Sequence, residues 1–137
     1  MANATSVDKI RGIAPNLVER LKEQKIVNAD QLLKAGCSPE GRKTLAKLVG
    51  VEPNQLLEIL NRADLDRIKG IGPAFANLLE EVGVDTVKEL SKRVPANLQN
   101  KMVEVNTAKK ITHHPPTLQQ VEAWVEEAKR LPVLLEY

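Results

Sequence analysis

Apolar residues recur along this chain at helical spacing, and most runs are bracketed by residues that start or stop a helix. Leu17 and Leu21 lie one turn apart, with Pro15 just before them and Ile26 and Leu32 following. Asn28 can cap the next run, which buries Leu32 and Leu33 and stops at Gly36. Ser38-Pro39-Glu40 opens a helix carrying Leu45, Leu48 and Val49, closed by Gly50, and Pro53 opens another with Leu56, Leu57, Ile59 and Leu60. Further on, Gly83 ends one helix and Asp85 caps the next, whose apolar face is Val87, Leu90 and Val94. After Pro115-Pro116, Thr117 and Gln120 form a capping box ahead of Leu118, Val121, Trp124, Val125, Ala128 and Leu131 on one helical face. Proline at a first helical position costs no hydrogen bond, and glycine suits the position just past a helix end. No stretch alternates as a strand would. The pattern predicts an all-α protein of about eight to ten short helices.

The pattern occurs twice. Asp8-Lys-Ile-Arg-Gly-Ile-Ala-Pro15 returns as Asp66-Arg-Ile-Lys-Gly-Ile-Gly-Pro73, at an offset of 58 residues. The correspondence continues through Leu17 and Phe75, Leu21 and Leu79, Glu23 and Glu81, Ile26 and Val84, and Leu32 and Leu90. One compact domain over 1–137 is expected, with repeat one at 6–62 and repeat two at 63–131; each copy would end in a longer tail.

Each copy of the octapeptide predicts a tight hairpin between two helices. In Ile68-Lys69-Gly70-Ile71-Gly72-Pro73, the isoleucines would pin the turn to the core, and Gly70 and Gly72 would permit positive φ or close approach to the backbone. The amides of Gly70, Ile71 and Gly72 would then stand at the positive end of the helix opened by Pro73, an arrangement that attracts phosphate. Arg67 and Lys69 add charge beside it. The first copy, with Arg11 and Gly12, has Ala14 in place of the second glycine and Val18 where Ala76 is small.

Composition narrows the reading. Hydrophobic residues make up 42% of the 137 and aromatic residues only 2%, which fits a core of Leu, Val, Ile and Ala between helices. A net charge of +2 demands no polyanionic partner, so any basic surface must be local. From Lys88 to His114 six basic residues face two acidic ones, and Lys109 and Lys110 would extend a phosphate-tracking surface if they share a side with Lys69. Cys37 is the one cysteine, so no internal disulfide forms. His113-His114 lacks the spacing and further ligands of a metal site. No nucleophile motif, P-loop or dinucleotide fingerprint occurs, and catalysis is not expected. The start, Met-Ala-Asn-Ala-Thr-Ser, lacks the regions of a secretory signal, and no apolar run would span a bilayer. A cytoplasmic protein is expected, with no membrane and no small-molecule substrate.

The hairpin residues resemble the helix-hairpin-helix motif, apolar-x-Gly-apolar-Gly with an alanine beyond it, as in Ile68 to Gly72 and Ala76. Paired copies are similar to the tandem helix-hairpin-helix domain, of SAM-like architecture. The stretches Ala63–Leu90, Lys101–Asn106 and Val121–Val125 resemble an uncharacterised bacterial family of short helix-hairpin-helix proteins, a domain of unknown function. That resemblance implies contact with duplex DNA backbone without sequence readout, sometimes with a monovalent cation at the hairpin. The implied contacts are Arg67, Lys69, Gly70, Ile71, Gly72, Lys109 and Lys110, joined by Arg11 and Gly12 in the weaker copy. Asn16 and Ala74 stand where many DNA-binding members carry Lys or Arg. The alternative is an adaptor module that docks another protein, with purely structural hairpins.

Overall fold

Eight α-helices form in the computed structural model, which describes residues 5–137; the first four residues of the N-terminal stretch considered above lie outside it. Among the described residues there is no strand, only an isolated bridge between Ser6 and Asn28. After a 3-10 turn at Val7–Lys9 come α1 (Pro15–Glu23), α2 (Ala29–Ala35), α3 (Pro39–Val49) and α4 (Pro53–Leu65). Then follow α5 (Pro73–Glu81), α6 (Val87–Ser91), α7 (Pro95–Lys109) and α8 (Leu118–Arg130). Proline is the first residue of α1, α3, α4, α5 and α7, where its missing N–H would have had no helical acceptor.

The chain falls into two compact units, one running to Asp64 and taking in Leu134–Tyr137, the other Leu65–Val133. In the first, α1 and α2 pack against α3 over a core that includes Leu21, Leu32, Leu56 and Leu60, all fully buried. Its C-terminal tail is held by Arg42 of α3, 6% exposed, whose guanidinium donates to the carbonyls of Gly36, Cys37 and Glu136 and lies over the Tyr137 ring. The Glu136 N–H donates to the Cys37 carbonyl, and the Tyr137 hydroxyl to Asn61 Oδ1. In the second unit α8 packs on α6 and α7, and α5 on α7, around Leu78, Leu79, Leu90, Met102 and Trp124.

Local devices match between the units. Gly12 and Gly70 both have positive φ, +73° and +85°, as do Lys25 and Gly83 at the ends of α1 and α5. Asn28 caps α2 through the Gln31 N–H, and Thr86 caps α6 through the Glu89 N–H. The helices α4 and α8 also share a burial pattern. The fourth, seventh, eighth and eleventh residues of α4 are the buried Leu56, Ile59, Leu60 and Ala63; those of α8 are the buried Val121, Trp124, Val125 and Ala128.

Four local expectations need correction. The α6 cap is Thr86 rather than Asp85: Thr86 has the extended backbone of an N-cap and Val87 is the first helical residue. Leu48 is 58% exposed because the buried stripe of α3 is Arg42, Leu45, Ala46 and Val49. Val94, also 58% exposed, falls between α6 and α7 and follows neither period. Leu118, 41% exposed, opens α8 one turn before its buried stripe begins.

Candidate functional site

The second hairpin begins where the Ile68 N–H donates to the Leu65 carbonyl (3.1 Å), turning the chain after α4. Ile68 is buried and Ile71 half-buried against the second core, so both isoleucines anchor the turn. Gly70 then takes φ +85°, a conformation that costs a residue with a Cβ about 1–2 kcal/mol. Gly72, at φ −80° and ψ 177°, is ordinary extended backbone, and a Cβ there would meet nothing within 4 Å. Of the two uses expected of these glycines, positive φ or close approach to the backbone, Gly70 takes the positive φ and Gly72 does not. Gly72 leaves open space in front of the α5 N-terminus.

Among the described residues nothing accepts from the amides of Gly70, Ile71 or Gly72. The Lys69 amide is different: it donates to Glu127 Oε1 of α8 (3.0 Å). Trp124, one turn earlier on α8, lies 3% exposed and stacked at a tilt on Phe75, with ring centroids 5.3 Å apart. Its Nε1 comes within 3.6 Å of where a Gly70 Cβ would stand. No described residue accepts its N–H, and the atom is not sealed from solvent.

The first hairpin is built alike but dressed differently. Here the Ile13 N–H donates to the Ile10 carbonyl (3.2 Å), so the middle amide of the turn is consumed internally. Arg62 of α4 donates from Nη1 to the Arg11 carbonyl (3.1 Å), and a Cβ on Gly12 would collide with that nitrogen. Ala14 has φ −74° and ψ 140°, close to the conformation of Gly72.

Of the remaining expected residues, Arg67 and Lys69 belong to the second hairpin, and Lys109 and Lys110 lie at the end of α7. Arg67 is half-buried and donates to the Pro132 carbonyl (3.0 Å), while the Lys69 side chain is exposed. Lys109 pairs with Glu81 at 2.5 Å, at the end of α5 opposite the hairpin, about 12 Å along its axis. Lys110 closes α7 with φ +52° and lines an open cavity of about 450 Å³ with Asn106, Thr107, Ile111, Thr112 and His113. Asn106 shapes that loop, exchanging hydrogen bonds with the backbone N–H and carbonyl of Thr112. No group of three or more His, Cys, Asp or Glu able to hold a metal occurs among the described residues, and none of their helices is long and apolar enough to cross a membrane.

Sequence reasoning placed Trp124 in the core, where it is, but missed that its N–H reaches the hairpin. It also missed Arg62 and Glu127. The signal was present: both are the tenth residue of helices sharing one buried pattern. No curated protein and no solved structure matches the chain. The family model that does match covers residues 11–131, the whole of the second hairpin and the first from Arg11 onward, and the chain belongs to that family, described as a domain of unknown function (DUF4332).

Proposed function

We propose that the protein is a non-enzymatic helix-hairpin-helix module, two unequal copies in a SAM-like chain, that holds nucleic-acid backbone through its second hairpin. Duplex DNA is the favoured partner, and contact is independent of base sequence. The carrying observation is the run of three amides, Gly70 to Gly72, left without an internal acceptor at the positive end of α5. The open space at Gly72 lets a phosphate approach, and Arg67 and Lys69 supply charge next to it. Lys109 and Lys110 would meet the backbone farther along, and a cytoplasmic location fits such a role. A second reading, docking of another protein with structural hairpins, draws support from Arg62 and Glu127, which lay the molecule's own charges on the two turns.

Anisotropy of a labelled short duplex at low and moderate salt separates the two. Nonspecific binding in the range of about 10⁻⁴ to 10⁻⁶ M is expected, falling with a log–log salt slope of roughly −2 to −4. Lys69→Glu and Gly72→Val should each weaken it. Because Gly72 has extended backbone and free space, valine there tests approach rather than folding. No binding at low salt would reject the proposal, and binding indifferent to both substitutions would move the site elsewhere.

A further inference from the structure

We infer that α8 completes the second hairpin as an oxyanion site. The Trp124 indole N–H donates to the phosphate group held by the Gly70–Gly72 amides, and the Glu127 carboxylate limits how tightly that group is held. This rests on the hairpin reading above and adds two residues and a control to it.

A helix N-terminus with glycines is too common to define a site alone. Trp124 supplies the independent observation. A tryptophan buried this deeply normally gives its N–H an acceptor. Here the ring is 3% exposed and fixed against Phe75, yet the N–H has no acceptor among the described residues and keeps access to solvent beside Gly70. The missing Cβ of Gly70 leaves the space between the indole and the turn unfilled. An oxyanion there would satisfy the indole and the three amides together.

Glu127 lies one turn further along the same helix, three residues past Trp124, and takes the Lys69 amide. It thus brings a negative charge to the edge of an anion site, where a phosphate would meet like-charge repulsion. The tenth position of α4 carries Arg62 instead, donating to the Arg11 carbonyl. The same helical position therefore delivers opposite charges to the two turns. Carboxylate on the better anion site restrains binding to groups that bring several phosphates at once, as a nucleic-acid backbone does and free phosphate does not.

Trp124 is the chain's one tryptophan, so its indole N–H gives a single resonance in a ¹⁵N-correlated spectrum. That spectrum would be followed during titration with inorganic phosphate and, separately, with a short DNA duplex. The indole resonance should move together with the amides of Gly70, Ile71 and Gly72, and more readily for duplex than for phosphate. Glu127→Gln retains an oxygen that can accept from Lys69 but loses the charge, and should tighten both ligands by about three- to tenfold. Trp124→Phe should weaken them by about five- to tenfold; should that variant fail to fold, the wild-type indole shift and Glu127→Gln decide. Movement of the hairpin amides with a stationary indole, and an unchanged affinity in Glu127→Gln, would overturn this inference while leaving the nucleic-acid reading intact. A shift with phosphate and none with duplex would keep the oxyanion site and reject nucleic acid. No shift with either ligand would reject both.

Discussion

The two hairpins share a positive-φ glycine and differ in what the last helix of each unit lays on them. Arg62 donates to a carbonyl of the first turn, and Glu127 accepts an amide of the second. The first turn also spends its Ile13 amide on Ile10, whereas the Ile71 amide has no internal acceptor. A duplicated turn can thus keep its shape while its hydrogen-bonding groups are assigned to different ends. The difference teaches that both the octapeptide's own hydrogen bonding and a helix about fifty residues away decide which groups of the turn remain available.

The sharpest way to break the comparison lies at the fourth residue of the third helix in each unit. That position holds the buried Arg42 in α3 and the buried Leu98 in α7. Arg42→Leu would make the first unit resemble the second and strip donors from the carbonyls of Gly36, Cys37 and Glu136. A loss of about 2–4 kcal/mol is expected by urea denaturation, with the Tyr137 tail released.

Next come the matched glycines. Gly70→Ala should cost about 1–2 kcal/mol for its left-handed backbone, since the new methyl would stand at ordinary distance from Trp124. Gly12→Ala should cost about 1 kcal/mol more, because Arg62 must also leave the Arg11 carbonyl. Equal losses would show that Arg62 contributes nothing to the first turn.

Gly72→Ala sharpens the contrast from the other side by writing the first copy's Ala14 into the second. Stability should change by less than about 0.5 kcal/mol, since backbone and space both accept the methyl. A large loss would mean the turn needs glycine after all.

The smallest effect is at Asp8, where a hydrogen bond from the Ser6 hydroxyl, helped by nearby Lys9 and Lys22, holds the carboxyl below its ordinary value of 3.8. The residue 58 positions after Ser6 is Asp64, buried and of different chemistry. A lowered carboxyl contributes stability that is present above pH 3.8 and lost as pH falls through the folded-state value. Titration followed by NMR should place the Asp8 midpoint below 3.8, and Ser6→Ala should raise it toward that value.

Much of the helical framework was legible in local sequence, because its determinants act within a few residues. Pro15, Pro39, Pro53 and Pro73 mark helix starts, and Asn28, Ser38 and Thr117 cap through their own side chains. Apolar spacing was less reliable at helix ends: Leu48, Val94 and Leu118 fit a period on paper and face solvent. Arg42 was illegible, since its guanidinium is buried only because the carbonyls of Gly36 and Cys37 and, from the far end of the chain, of Glu136 converge on it.

By itself, then, the sequence determined where most of the helices begin, where the chain turns, and that Gly12 and Gly70 mark two equivalent turns. These are decisions of backbone sterics and near-neighbour hydrogen bonds, and both are written in consecutive residues. Only the tertiary structure decided that Arg62 reaches one turn while Glu127 and Trp124 reach the other. It also decided that the Gly72 position opens onto space. Those outcomes depend on how α4 and α8 lie across distant turns, and packing rather than sequence proximity sets which turn groups those helices take up.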